Sequence, residues 1–276
     1  MAAAARRFLT AGFLKAGGLF GIAVLLLASL LRMEGRFLYF PTRSLAATPD
    51  SFGLRADELF VRTEDGVRLH GWWIKGVGGR ALLFFHGNAG NVGDRLERAQ
   101  ILNERLGLDV FLLDYRGYGR SEGEPSEEGL YRDARAIHAQ ALERFRPGQI
   151  VLFGESLGSA VAIQLAIDRE SAAVVLETPF LSVPAMARKH YPFVPAFLIR
   201  SRFDNESKIG SVRQPKLFLV ADRDEIVPPD QGRRLFELAP EPKTLFVIPR
   251  AGHNDTYVTG GEEYWRAWSR FLGNLR

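Results

Sequence analysis

From residue 56 onward the chain alternates short apolar runs with longer stretches in which apolar positions recur every three or four residues. The short runs predict strands at 58–62, 67–74, 81–86, 110–114, 150–153, 173–176, 216–220 and 244–248. The longer stretches predict helices at 92–106, 127–145, 157–167, 229–238 and 262–272. The first two strands are joined through Glu64-Asp65-Gly66, a turn sequence that predicts an antiparallel hairpin. Later strands are separated by helices, which predicts a mostly parallel, doubly wound α/β sheet. No internal repeat or low-complexity linker interrupts this pattern.

A different pattern occupies the amino terminus. Residues 16–31 read AGGLFGIAVLLLASLL, with no charge and no polar face, which excludes a surface helix. A helix needs about 20 apolar residues to cross a bilayer. Phe13, Leu14 and a snorkelling Lys15 extend the run toward that length, giving an expected single-pass span over about 13–31. A cleaved signal peptide would put small residues soon after the run, but Arg32, Met33 and Glu34 follow it. The expected organisation is an anchor at 1–31, a connection at 32–52 and a catalytic domain at 53–276. Arg6, Arg7 and Lys15 before the span nearly balance Arg32, Arg36 and Arg43 after it. The favoured orientation leaves the amino terminus inside and the catalytic domain extracytoplasmic.

Charge then sharpens the list of partners. The net charge is +4, but the first 45 residues hold six basic residues against Glu34 alone, so the remainder is close to neutral. That distribution argues for a membrane lipid bilayer as partner and against nucleic acid. The absence of cysteine removes disulfides, thiolate metal sites and cysteine nucleophiles.

Candidate chemistry centres on a pattern that occurs twice, Gly-x-Ser-x-Gly. Gly119-Arg-Ser121-Glu-Gly123 runs into Glu124-Pro125, so no helix can start at its serine. Gly154-Glu-Ser156-Leu-Gly158 instead follows a buried strand and leads directly into a helical run, which is the context of a nucleophile elbow. Small residues at 154 and 158 allow the turn to pack closely, and Ser156 is the expected nucleophile. A serine hydroxyl needs a base. Among five histidines, His70, His138 and His190 sit in structural contexts, and His86 opens a glycine-rich loop suited to backbone donors. His253 lies in the loop after the last strand and is the expected base. Asp222 and Asp224 both follow the strand at 216–220; Asp224, just before Ile226-Val227-Pro228, is favoured as the orienting acid. Glu177, at the tip of the preceding strand, is an alternative. Backbone N–H groups of Asn88 and Leu157 are the expected oxyanion donors.

Taken in order, Phe37-Leu-Tyr-Phe-Pro41, Phe85-His-Gly-Asn-Ala-Gly-Asn91, Asp114-Tyr-Arg-Gly-Tyr-Gly119, Gly154-Glu-Ser-Leu-Gly158, Glu177-Thr-Pro-Phe180, Asp224-Glu-Ile-Val-Pro228 and Gly252-His-Asn254 resemble the membrane-anchored α/β-hydrolase-domain family of yeast bud-emergence type. The family is similar to serine-aminopeptidase-like hydrolases, and the resemblance spans about residues 37–273. It implies an α/β-hydrolase fold, Asp224 as the acid, Asn88 in the oxyanion loop, and no metal or organic cofactor. Many members of the superfamily insert a large cap where this chain has only residues 180–212. Phe180, Tyr191, Phe193 and Phe197 in that segment are expected either to line an acyl pocket or simply to pack on the core. The expected activity is cleavage of an ester, thioester or amide of a small-molecule or acylated substrate through an acyl-enzyme. A peptidase of the same fold, and a non-catalytic binding protein on that fold, are the alternatives.

Overall fold

The computed structural model describes residues 35–275. The expected span at 13–31 lies outside the described residues. Among the described residues no helix is long and apolar enough to cross a membrane.

The described residues form ten strands: β1 Phe40–Pro41, β2 Ala56–Arg62, β3 Arg68–Ile74, β4 Ala81–Phe85, β5 Ala89–Gly90, β6 Asp109–Leu113, β7 Ile150–Glu155, β8 Ala173–Glu177, β9 Lys216–Ala221 and β10 Lys243–Ile248. Eight form one sheet in the order β10-β9-β8-β7-β4-β6-β3-β2. The pairs β2/β3 and β3/β6 are antiparallel, and every other pair in this sheet is parallel. The expected hairpin is present, closed by the Thr63 N–H donating to the Val67 carbonyl.

The five central strands β4, β6, β7, β8 and β9 have almost no exposed residue. A parallel strand buried on both faces must be apolar throughout. Runs such as Ala81-Leu-Leu-Phe-Phe85 meet that need, so pattern and fold agree most closely here. Two apolar clusters flank the sheet. One holds the helices Glu127–Leu142 and Leu157–Asp168; the other holds Leu96–Leu106 and the C-terminal helix Thr256–Gly273.

Several details differ from the pattern-based expectation. The helix expected at 92–106 begins as a 3-10 turn, Val92–Arg95, because Asn91 caps that turn through its side chain. The helix expected at 262–272 starts earlier, at Thr256, and is broken at Gly261 where φ is 49°. An additional helix, Val183–His190, is capped by Ser182 inside the 180–212 segment. Finally, the described part of the 32–52 connection is built into the domain. Phe40–Pro41 pairs with Ala89–Gly90, Asn91 Nδ2 donates to the carbonyls of Thr42 and Ser44, and the Gly119 N–H donates to the Thr42 carbonyl.

Candidate active site

The C-terminal ends of the parallel strands bring Ser156, Asp224 and His253 together. Ser156 sits between β7 and the helix Leu157–Asp168, with φ 53° and ψ −116°. A non-glycine residue in that region is strained, and such strain persists only where packing enforces it. The flanking glycines show what enforces it. A Cβ at Gly154 would lie 2.2 Å from the Gly158 carbonyl oxygen, and one at Gly158 would lie 2.0 Å from the Phe85 carbonyl oxygen. The turn can close only with both glycines. The Ser156 N–H is held by the Glu177 carbonyl at 2.9 Å.

His253 Nε2 lies 3.0 Å from Ser156 Oγ, and His253 Nδ1 lies 2.7 Å from Asp224 Oδ2. The other Asp224 oxygen accepts N–H bonds from Ile226 at 2.9 Å and Val227 at 2.7 Å. This local turn fixes the carboxylate, so one oxygen is committed to its own loop and the other faces the imidazole. Burial pulls the His253 imidazole toward its neutral form. The hydrogen bond and charge of Asp224, with the charges of Glu155 and Glu225, outweigh that effect, so the His253 pKa is raised above its ordinary 6.5. Glu225 also accepts the His253 N–H through Oε2 at 3.3 Å.

The competing residues have other occupations. Asp222 is exposed. Glu177 is buried, and its carboxylate accepts from Arg98 Nη2 at 2.5 Å, Thr256 Oγ1 at 2.6 Å and Tyr264 Oη at 2.6 Å. His86 donates from Nδ1 to the Gly87 carbonyl, and burial, with the charge of Arg95, lowers its pKa to about 3. It is neutral and remote from a base's role. His70 is buried near Glu58, His138 bonds the Glu170 carbonyl, and His190 bonds the Ile226 carbonyl. Ser121, from the other Gly-x-Ser-x-Gly, is buried, accepts the His70 N–H and donates to the Asp114 carbonyl.

The loop of Gly87 and Asn88 abuts the serine. A Cβ on Gly87 would stand 3.7 Å from Ser156 Cβ. Asn88 is pinned on three sides: its carbonyl accepts from the Phe40 N–H and Tyr118 Oη, and its Nδ2 donates to the Leu38 carbonyl. Leu157 opens its helix, where the N–H has no intrahelical carbonyl to reach and developing negative charge is favoured. Of the four expected pocket residues, Phe180 is buried in the core and Tyr191 is exposed. Phe193 and Phe197 are 80% and 82% exposed, so neither ring sits in an enclosed pocket.

A network behind the serine escaped the sequence reading. Arg98 is buried and pairs with Glu177 and with Glu155, the residue before Ser156, at 3.2 Å. It ties the elbow to the helix that follows His253 through Thr256 and Tyr264. Glu177 carried a positional signal at its strand tip; Arg98, inside an ordinary amphipathic helix, carried none. Among the described residues no group of histidines and carboxylates is arranged to hold a metal ion.

Comparison with known proteins agrees with this architecture. The family model for the alpha/beta hydrolase fold matches residues 80–198. Protein bem46 of Schizosaccharomyces pombe is 33% identical over 94% of this chain and 93% of its own length. The Saccharomyces cerevisiae protein named "Uncharacterized membrane protein YNL320W" is 35% identical over 93% of this chain and 94% of its own. Among solved structures, the Pyrococcus furiosus esterase Pf2001 superposes with a TM-score of 0.70 at 21% identity, covering 86% of this chain and 98% of the esterase. An eight-stranded sheet in this order, a strained serine between strand and helix, and near full-length similarity to these yeast proteins together show that the chain belongs to the α/β-hydrolase superfamily, in the family that includes bem46.

Proposed function

We propose that this protein is a membrane-anchored serine hydrolase that cleaves an ester, thioester or amide through an acyl-enzyme, with Ser156, His253 and Asp224 as its triad. What carries this reading is the unbroken hydrogen-bonded series from Asp224 Oδ2 through both nitrogens of His253 to Ser156 Oγ, at 2.7 and 3.0 Å. His253 Nε2 takes the hydroxyl proton as Oγ attacks the substrate carbonyl. The oxyanion that forms is met by the N–H groups of Asn88 and Leu157, preorganised donors of a kind typically worth about 10²–10³ in turnover each. Collapse breaks the bond to the leaving group, which takes the proton from His253. Water activated by the same imidazole then releases the acyl group and restores Ser156. Asp224 keeps Nδ1 protonated, so that Nε2 is free to accept.

The anchor is read from the apolar run at 16–31 and is in keeping with the S. cerevisiae relative's name as a membrane protein. The catalytic domain spans 53–276 in this reading, with residues 40–44 of the connection hydrogen-bonded onto it. The chemistry is tested on the detergent-solubilised full chain with p-nitrophenyl esters of several chain lengths beside aminoacyl anilides. Turnover of esters that vanishes in Ser156→Ala is expected. Turnover of anilides alone would favour a peptidase, and turnover of neither, in folded protein, would favour a binding protein on this fold.

A further inference from the structure

Two segments far apart in sequence, each hydrogen-bonded to a loop beside the triad, place aromatic rings side by side. Phe37 meets Tyr191 edge to face at 6.4 Å between centroids, and Tyr191 meets Phe193 in the same manner at 6.4 Å. All three, with Phe197, are exposed, Phe193 and Phe197 most of all. The patch is fastened to both sides of the site. Leu38, next to Phe37, accepts the Asn88 Nδ2 bond at 2.8 Å. His190, next to Tyr191, donates to the carbonyl of Ile226 at 2.7 Å, and the Ile226 N–H in turn holds Asp224. The rings therefore stand on segments tied to the loop of Asn88 on one side and to the loop that holds Asp224 on the other.

A soluble surface rarely leaves so many large rings together in water. The charges carried by these two segments point to an occupant. Residues 35–47 and 181–203, which carry the patch, contain Arg36, Arg43, Arg188, Lys189, Arg200 and Arg202 and no aspartate or glutamate. Aromatic rings interleaved with basic side chains match the headgroup region of an anionic bilayer. In the anchor reading the chain itself brings that bilayer near. The apolar run ends at residue 31 and Phe37 follows six residues later. Even fully extended, six residues span only about 20 Å.

We infer that the patch formed by Phe37, Tyr191 and Phe193, together with the exposed Phe197 of the same segment, docks onto the surface of an anionic bilayer, turning the triad toward lipid, so that the acyl chain of a membrane-embedded substrate enters from the bilayer. The entry of an acyl chain rests on the serine-hydrolase reading, and the docking surface rests on the anchor read at 16–31 but not on the chemistry. This gives the exposed rings of the 180–212 segment a collective function in place of an enclosed pocket.

The absence of cysteine makes a direct test possible. The full chain carrying Phe197→Cys is labelled with an environment-sensitive nitrobenzoxadiazole and inserted into phosphatidylcholine vesicles containing phosphatidylserine. A second full chain carries the label at Val77→Cys, 97% exposed in the turn before β4, at the opposite end of that strand from the site. The label at 197 is expected to shift to the blue and to lose at least half its emission to brominated lipid, while the label at 77 does neither. Equal behaviour at the two positions overturns the docking surface. So does a blue-shifted label at 197 that brominated lipid fails to quench, as it would be if residues 16–31 or a second copy covered it.

For substrate entry, the unmodified full chain is compared in vesicles with and without phosphatidylserine. Cleavage of an embedded p-nitrophenyl palmitate should rise at least threefold with the anionic lipid, and cleavage of soluble p-nitrophenyl acetate should not change. An equal response of both esters overturns entry from the bilayer. Quenching at 197 in a chain that cleaves neither ester supports the docking surface and overturns the hydrolase reading instead.

Discussion

Replacing Asp224 by asparagine separates the proposed mechanism from a merely structural histidine. Asparagine is nearly isosteric, but it has one acceptor oxygen where aspartate has two. The N–H groups of Ile226 and Val227, at 2.9 and 2.7 Å, demand that oxygen for themselves. The amide nitrogen is then directed at His253 Nδ1, where the carboxylate Oδ2 now stands at 2.7 Å. An N–H facing Nδ1 selects the tautomer with its proton on Nε2, and a protonated Nε2 cannot accept the proton of Ser156. A trapped tautomer of this kind lowers turnover on the order of 10⁴-fold, which corresponds to about 5.4 kcal/mol of transition-state stabilisation. The assay is kcat/KM for a soluble p-nitrophenyl ester, beside the rate at which a fluorophosphonate labels Ser156, with thermal unfolding to show that the variant is folded. Asp222→Asn should leave both rates within about twofold. A folded Asp224→Asn enzyme within tenfold of the wild type, or a larger loss in Asp222→Asn, would refute the assignment of the acid.

Three further outcomes follow from named contacts. His253 must be neutral to act as base, and its pKa is raised, so kcat/KM should fall on the acid side through an apparent pKa above 6.5; Glu225→Gln removes one of the carboxylates that raise it and should move that limb to lower pH, and a limb that does not move would contradict the stated cause. Arg98→Met leaves Glu177 buried without its cationic partner, a defect that costs roughly 3–5 kcal/mol. At the sensitivity of a domain of this size that is a fall of about 6–20 °C in Tm; a shift within 2 °C in a thermal melt would show the network to be dispensable. Ser121→Ala removes the acceptor of the His70 N–H and should destabilise by about 1–3 kcal/mol in urea unfolding, while fluorophosphonate labelling of Ser156 proceeds at the wild-type rate; loss of labelling would mean that the two Gly-x-Ser-x-Gly copies had been read the wrong way round.

The parts of this molecule that could be read from the chain were those in which one local requirement dominates. Strands β4 and β7 are buried on both faces, so β4 is apolar throughout and β7 as far as Gly154, and the glycines at 154 and 158 answer to distances near 2 Å that no side chain could tolerate. The hydrogen bonds by which Asp224 organises its loop at Ile226 and Val227 are local in the same sense. What escaped reading depends on contacts between distant segments. The two-residue ladder of Phe40–Pro41 with Ala89–Gly90 is too short to leave a periodic signal, and the partners of Arg98 lie 57, 79 and 166 positions away in Glu155, Glu177 and Tyr264. The exposure of Phe193 and Phe197 was hidden for a related reason. An apolar run has the same composition whether it packs on a core, lines a pocket or faces a membrane, and only the fold distinguishes these.

The central claim is that Ser156 is a nucleophile activated by His253. A fluorophosphonate reacts with an activated serine and not with an ordinary hydroxyl, so mapping the labelled peptide of the folded full chain by mass spectrometry addresses the claim directly. The account predicts a single adduct on Ser156, abolished by Ser156→Ala and slowed by at least a hundredfold in His253→Ala. An unlabelled Ser156 in folded protein, or labelling that persists undiminished without the imidazole, would contradict it.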